Sequence, residues 1–532
     1  MTTTKKFFPV AALSLVMTGA AALASAQTAP PAPRTTAAGA QAAQDRYVVG
    51  QAKPPEVGAP VLNLTLEDAI QRALDRNLDL KVQKLNPQIS DYQLQQTRAF
   101  YRPTFSGTMR YNSQKQTNTS TLESASTVTT TGQIYNTSAS LPVQWYGGNA
   151  NVQFNNGRTF TNSTINSRNP NLSSNLQFSY TQPILHNFKT DATRTSLKTL
   201  EIARQISDVN LRTSLMNTVA QVRNAYWDLR AAIENIEIQR RAVDLARSFV
   251  DQNRTKVEVG TMAQIDVIQA ESQQANAELS LVQAESTWRT AELTFKRLVA
   301  AGADDDAYKS TINPTDLPAV AAPTVDIPAA ITTALAQRTD LVVQRKTLES
   351  SLLNIALLQN ATLPDLNLVG GYTSAGVGGP TTKSGVVTPG GYSDALSQLI
   401  GLETPTWNIT ANLTYPLGMA AAKANLARTR LTLEQSQTTL KAQELTVATD
   451  ITNAGLQVQN AYKGLLASQK ARELAERQAD AEQTKFEVGM STNFTVVQQQ
   501  QAMTSARTAE LRALLTYIKA LIEFERLQNV GR

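Results

Sequence analysis

Lys256-Val-Glu-Val-Gly-Thr261 and Lys485-Phe-Glu-Val-Gly-Met490 occupy matching positions of a block that occurs twice in the chain. Thr218 to Leu298 aligns without gaps to Val447 to Leu527 at an offset of 229, pairing Val259-Gly260 with Val488-Gly489 and Phe295, Arg297 and Leu298 with Phe524, Arg526 and Leu527. Upstream, a second block repeats at an offset of 261, Leu66 to Asn112 with Ile327 to Thr373, which brings Pro103 onto Pro364 and Tyr111 onto Tyr372. The 32-residue difference in offset locates one insertion, in the first half, between the two blocks. Each half then reads as helix, strand-rich segment and long helical hairpin, a unit that needs neighbours to cover its apolar faces.

Helix breakers define the hairpins. From Ile184 to Ala301 there is no proline and one glycine, Gly260; after Pro416 there is no further proline. Gly260 and Gly489 are therefore the turns. The arms around Gly260 predict helices of roughly 105 Å and 60 Å, and Thr65 to Arg102 and Asp326 to Leu363 each predict another of roughly 57 Å. Two short helices end to end match one long one. Val267, Ala270, Gln274, Ala277, Leu281, Ala284, Trp288, Ala291, Phe295 and Leu298 alternate steps of three and four, a coiled-coil seam. Ile265, Ile268, Ser272, Ala275, Leu279 and Val282 form a second seam on another side of the same helix. Two seams imply neighbours on both sides, as in a closed cylinder of helices.

Strands come from period-two patterns. Pro103 to Asn112, Asn175 to Leu185, Leu366 to Tyr372 and Trp407 to Leu417 alternate apolar and polar residues with aromatic ends, which suits an outer-membrane barrel. Four strands cannot close a wide barrel, so several chains must contribute. Gln114 to Gly132 and Thr373 to Thr404 read as exposed loops. Ala139 to Phe160, within the insertion, reads as an additional hairpin around Gly147-Gly148 that this pattern leaves without a place.

Met1 to Ala26 carry Lys5 and Lys6, an apolar run and Ala24-Ser25-Ala26, the parts of a cleavable secretory signal that makes Gln27 the first mature residue. Later in the chain no apolar run reaches the roughly 18 to 20 residues of a spanning helix, so a membrane crossing must be a β-barrel. The 532 residues include no cysteine and one histidine, which excludes enzymes relying on thiolates, disulfides or multi-histidine metal sites. The net charge of +6 is too mild for a nucleic-acid partner. His186 has no second histidine or cysteine to act with, Asp304, Asp305 and Asp306 lack EF-hand spacing, and Trp227 and Trp288 read as seam anchors.

From Leu64 to Val530 these residues resemble the TolC-like outer-membrane efflux protein family, on the duplicated block order, the Pro103 and Pro364 strand entries, Gln182-Pro183-Ile184-Leu185, Tyr415-Pro416-Leu417 and the two Val-Gly turns. The resemblance implies a mainly α protein with membrane β. Three copies would form a twelve-stranded outer-membrane barrel continuing into a periplasmic tunnel of twelve helices. It also implies a passive export channel, not an enzyme and without a cofactor, whose tip docks on a periplasmic adaptor joined to an inner-membrane pump. The tip residues are then Val259, Gly260, Thr261, Val488, Gly489 and Met490. In the best-known members a carboxylate at the entrance is linked to tyrosine and arginine on the neighbouring hairpin. Here Asp266 stands at the carboxylate position, but Phe486 and Ser491 replace the tyrosine and arginine, and Thr495 and Gln498 replace the acidic positions of the second hairpin. The alternative, from another class, is a non-transporting coiled-coil protein that bridges envelope layers; a substrate-specific porin is disfavoured by the helical content.

The predicted organisation is a signal peptide at 1–26, a disordered linker at 27–60 and a first repeat at 61–300, with strands near 103–185 and its turn at 259–262. An equatorial link at 301–325 precedes a second repeat at 326–532, with strands near 364–417 and its turn at 488–491. The expected location is the outer membrane of a Gram-negative cell, with a large periplasmic part.

Overall fold

The computed structural model of the chain describes residues 52–55, 58, 60–117, 123, 126–318, 320–383 and 386–528. The expected signal peptide and residues 27–51 of the expected linker lie outside them. The linker's described end is not a free tether: Ala52 is buried, and its N–H donates to Glu234 Oε1 at 3.3 Å.

Four helices dominate. α3 (Ala192–Glu258) and α9 (Ala420–Glu487) have 67 and 68 residues, about 100 Å each at 1.5 Å per residue. Their return arms α4 (Gln264–Val299) and α10 (Asn493–Leu527) are about half as long. The expected single helices over Thr65 to Arg102 and Asp326 to Leu363 are each broken, into α1 (Leu66–Arg76) and α2 (Leu78–Arg98), and into α6 (Ile327–Gln337) and α7 (Thr339–Asn360). The breaks fall at aligned residues, Asn77 and Arg338, whose ψ values of 123° and 125° leave the helical region. Asn77 turns the chain and caps α2, its Oδ1 accepting from Leu80 N at 2.9 Å. The hairpins pack through α3 and α10, giving the order α4, α3, α10, α9 near the turns; farther from them, α2 and α7 give α2, α3, α7, α9.

The first seam of α4 is buried against α3: Val267, Ala270, Ala277, Ala284, Trp288 and Phe295 are all inaccessible. Around Trp288 and Phe295 the main core gathers Tyr226, Leu229 and Ile233 of α3 with Ala69 and Ala73 of α1. The Tyr226 hydroxyl donates to Leu64 O at 3.1 Å and accepts from Asp316 N at 3.0 Å, and burial pushes its pKa up to about 12. Beside it, β1 (Val61–Leu64) pairs in parallel with β6 (Thr311–Pro314), which follows the short helix α5 (Asp306–Lys309). This tie is sealed by a buried ion pair. Arg230 lies 3.0 Å from Glu234 and donates to the carbonyls of Pro314 and Ala52 at 3.0 and 3.2 Å.

Where four strands per chain were expected, one sheet of six forms: β2 (Thr104–Thr117), β3 (Thr127–Pro142), β4 (Asn149–Thr161), β5 (Asn171–Pro183), β7 (Asp365–Gly378) and β10 (Pro405–Thr414). Their order is β10-β7-β5-β4-β3-β2, every pair antiparallel. Much of the expected loop at Gln114 to Gly132 is strand, because its threonines are β-branched and fit a pleated surface even with polar tips. The expected loop at Thr373 to Thr404 likewise contains the end of β7, a small ribbon of β8 (Thr381–Lys383) and β9 (Val386–Thr388), and helix α8 (Tyr392–Ile400). Gly376 admits α8 to the sheet: a Cβ there would lie 1.8 Å from Ala395 O.

The buried pair at Arg230 and an exposed pair such as Arg247 with Glu278 differ in worth. Arg230→Ala should cost about 3–5 kcal/mol, since it removes the cation that offsets the buried Glu234 carboxylate. Arg247→Ala, in a pair 59% and 44% exposed, should cost less than about 1 kcal/mol. Denaturant unfolding in detergent, followed by tryptophan fluorescence, measures both. A loss at Arg230 no larger than at Arg247 would remove the network from the account.

Candidate functional site

The two hairpin tips share one construction. At the end of α3, Thr261 N donates to Lys256 O and Gly260 N to Val257 O, both at 2.9 Å; at the end of α9, Met490 N donates to Lys485 O at 2.8 Å and Gly489 N to Phe486 O at 3.2 Å. This paired closure places its central residue in the left-handed region, and Gly260 and Gly489 have φ of +80° and +78°. Nothing crowds either glycine, so backbone conformation alone selects it. Tight turns leave their apolar side chains outside: Val259 is 73% exposed, Val488 66% and Met490 79%.

Behind the turns the two tips are joined inside one chain. Phe486 is buried, its ring 5.3 Å from that of Phe249 and under the Lys256 ammonium at 3.6 Å. Asn253 Nδ2 donates to Asn493 Oδ1 at 2.8 Å, and Asn493 Nδ2 donates to the main-chain oxygen of Asp266 at 2.9 Å. An aromatic, cation and amide cluster thus occupies the place where the resemblance puts a carboxylate, tyrosine and arginine. Ser491 turns away from it, to Glu482. The Asp266 carboxylate, half-exposed in the first turn of α4, makes no hydrogen bond or ion pair among the described residues. Phe249, Asn253, Lys256 and Asn493 were missed in the sequence; the available signal was the scarcity of aromatics in arms of Ala, Gln and Glu.

Farther up the second hairpin, one ion pair joins α9 and α10 at positions where the first hairpin is apolar. Arg472 lies 2.5 Å from Glu510. Their aligned residues in the first hairpin are Val243 and Leu281. Burial pushes the Glu510 carboxyl above its ordinary range, with Arg472 pulling the other way.

The second seam of α4 finds no partner among the described residues: Ile265, Ile268, Leu279 and Val282 stay exposed. A matching stripe on α2, Leu78, Val82, Leu85, Ile89 and Tyr92, is exposed on the same side of the fold. On the other side α9 exposes Leu431, Leu445, Leu456, Leu466 and Leu474. The sheet ends the same way, at β2 (continuous with α2) and β10 (continuous with α9). Large apolar stripes left in water mark contact surfaces.

The sheet has two chemically different faces. Register puts Phe105, Tyr135, Phe178, Leu368, Tyr372 and Trp407 on one, with Ser138, Gln153, Gln177, Thr181, Asn367 and Asn408 on the other. Phe178, Tyr180, Leu368 and Tyr372 are exposed while the polar neighbours Gln177, Ser179, Thr181 and Asn367 are half-buried, so the polar face is the concave one. An apolar convex face and a polar concave one are what a barrel in lipid around water presents.

The other sequence candidates are structural. Asp305 and Asp306 pair with Arg76 and Arg72 at 3.0 and 2.8 Å, and the hydrogen bond from Arg72 holds the Asp306 carboxyl well below its ordinary range. Asp304 lies 3.5 Å from Lys309, and no metal-ligating cluster occurs among the described residues. His186 follows β5, its N–H donating to Pro364 O. Trp288 is a core residue, and Trp227 packs edge-on to Tyr226.

Comparison with known proteins matches residues 69–301 and 330–529 to the family model described as outer membrane efflux protein. The fold is similar to that of the Campylobacter jejuni CmeC outer membrane channel, with 17% identity, 88% of this chain and 86% of that one covered, and a TM-score of 0.63. It is similar also to the outer-membrane channel OprN (14%, 91% and 98%, TM-score 0.64) and to the open state of the Neisseria gonorrhoeae MtrE outer membrane channel (17%, 87% and 88%, TM-score 0.59). No curated protein matches the chain significantly.

Proposed function

The chain belongs to the outer membrane efflux protein family, and from that premise we propose that three copies close into one passive conduit, from a periplasmic pump assembly to the cell exterior. The observation that carries this reading is the pair of unpartnered sides. One ends in β2, α2 and the second seam of α4; the other ends in β10 and the leucine stripe of α9. Different surfaces that fit each other head to tail generate a closed ring. In a ring of three, the four long arms of each chain would supply a tunnel of twelve helices, and the short helices α2 and α7 would continue α4 and α10 to equal length. The sheets would close into a barrel in the outer membrane of a Gram-negative cell, with the helices in the periplasm.

The account needs no catalytic group and no cofactor. Work is done by an inner-membrane pump, and a periplasmic adaptor would seat the tunnel on it. Val259, Gly260, Thr261, Val488, Gly489 and Met490 are the proposed docking points, since rigid turns holding exposed apolar side chains offer contact area at little cost in conformational entropy. Asp266 would place three carboxylates around the entrance, and a ring of like charge at a narrow aqueous mouth favours counter-ions. Whether drugs, metal ions or polypeptides pass is set by the pump.

Two measurements test these roles. Proline fixes φ near −65° and so cannot take the +80° and +78° that the two turns hold. Gly260→Pro with Gly489→Pro should therefore abolish export while trimers remain in the membrane; export at the parental rate would place docking elsewhere. Asp266→Asn should remove cation preference in low-salt planar-bilayer recordings. Unchanged selectivity would leave only a favourable carboxylate at a helix start, worth about 0.3–1 kcal/mol.

A further inference from the structure

We infer that the β3–β4 hairpin, supplied by the insertion in the first half, is part of the membrane wall, so that each chain contributes six strands and three chains close a barrel of eighteen. The total rests on the trimer proposed above; the six do not. Resemblance to the family implies twelve, four from each chain, and this chain departs from that number.

The hairpin is built into the sheet along its whole length. β3 pairs with β2 from Thr127↔Thr117 to Ser140↔Thr104, and β4 pairs with β5 from Asn149↔Thr181 to Thr159↔Asn171. Its alternation continues that of its neighbours without a slip. Val152 stands beside Phe178 and Ala139 on the apolar face, and Gln153 beside Gln177 and Ser138 on the polar one. A one-residue error would exchange the faces, so agreement across both joints is specific.

The hairpin's turn is anchored at the helix end of the sheet. Val143 N closes it on Gly148 O at 2.7 Å, the Tyr146 ring stacks on Phe188 at 4.7 Å, and Gln182 Nε2 donates to Tyr146 O at 2.8 Å. Beside it Trp145 is 79% exposed. A short turn on the periplasmic side with an aromatic residue at the interface is the pattern of outer-membrane barrels, whose longer loops lie outside. In a twelve-stranded wall β2 would abandon β3 for β5, leaving Tyr135, Ala139, Leu141, Val152 and Phe154 on a ribbon in water.

Circumference favours the larger count. Strands about 4.8 Å apart and tilted about 40° give a backbone diameter of roughly 24 Å for twelve and 36 Å for eighteen. Twelve helices spaced about 9 Å apart form a ring of roughly 34 Å. Eighteen strands therefore continue the tunnel at its own bore, and cargo that clears the tunnel clears the exit.

The chain has no cysteine, so single labels are unambiguous. Val152→Cys, Gln153→Cys and, as reference on β5, Phe178→Cys are spin-labelled in the full-length protein reconstituted in phospholipid bilayers. Relaxation by oxygen is compared with relaxation by a water-soluble nickel chelate. The ratio of oxygen to nickel accessibility should be high at Val152 and Phe178 and severalfold lower at Gln153. Nickel access at Val152 with Phe178 still in lipid would put the hairpin outside the wall and overturn the inference alone. Nickel access at both would remove it together with the membrane reading of the sheet. Ala139→Cys and Ser138→Cys repeat the test on β3 should a β4 variant misfold, and strands counted by electron cryomicroscopy should number eighteen, with twelve contradicting the proposal.

Discussion

An open sheet cannot stand in lipid. Where water is absent every backbone N–H and C=O must be paired, and the outer sides of β2 and β10 have no partner strand among the described residues. The antiparallel order makes these edges complementary. β2 leaves the helices and β10 returns to them, so setting β10 of one copy against β2 of the next continues the alternation around a ring. That continuity requires an even number of strands per chain, which six satisfies. The requirement for closure at the sheet then dictates what the helices must do, because α2 and α9 are continuous with the edge strands and carry the same two sides away from the sheet.

Energetics divide the helical part into finished and unfinished regions. Near the β1–β6 tie, Tyr226, Trp288 and Phe295 are inaccessible and the buried charges of Arg230 and Glu234 are paired, so this region holds the chain together by itself. Toward the turns the packing thins to one seam per interface, with the small cluster of Phe249, Val250, Ala270, Phe486 and Val496 between the hairpins. A region with few buried contacts opens at lower free energy than the core. The proposed entrance falls in this thinner part.

Much of this was legible in the sequence, for physical reasons that differ by element. The turns at Gly260 and Gly489 could be read because only a residue tolerating positive φ ends a long helix this way, and the double seam of α4 because coiled-coil spacing survives single polar members such as Gln274. The hairpin of β3 and β4 was found but could not be placed. Glycines at 147 and 148 marked the turn, but which strands the hairpin joins is a long-range property, and the start of β3 lies in a threonine-rich stretch whose composition reads as loop. The break at Asn77 was also hidden: the obvious breaker, Pro87, lies inside α2, and an asparagine cap ten residues earlier does the turning. The tip cluster joins residues more than two hundred positions apart, which no local pattern reports.

The central claim, that the two unpartnered sides are covered by copies of the same chain, is tested most directly by cross-linking across them. Val282 on α4 and Leu466 on α9 lie about equally far above their turns, 22 and 23 residues from Gly260 and Gly489, and both are exposed. The cysteine-free chain carrying Val282→Cys and Leu466→Cys, treated in membranes with a short bismaleimide, should give covalent dimers and trimers on a denaturing gel and nothing larger. Monomers alone, from protein shown to be folded and labelled at both sites, would contradict the account, as would a ladder continuing past three.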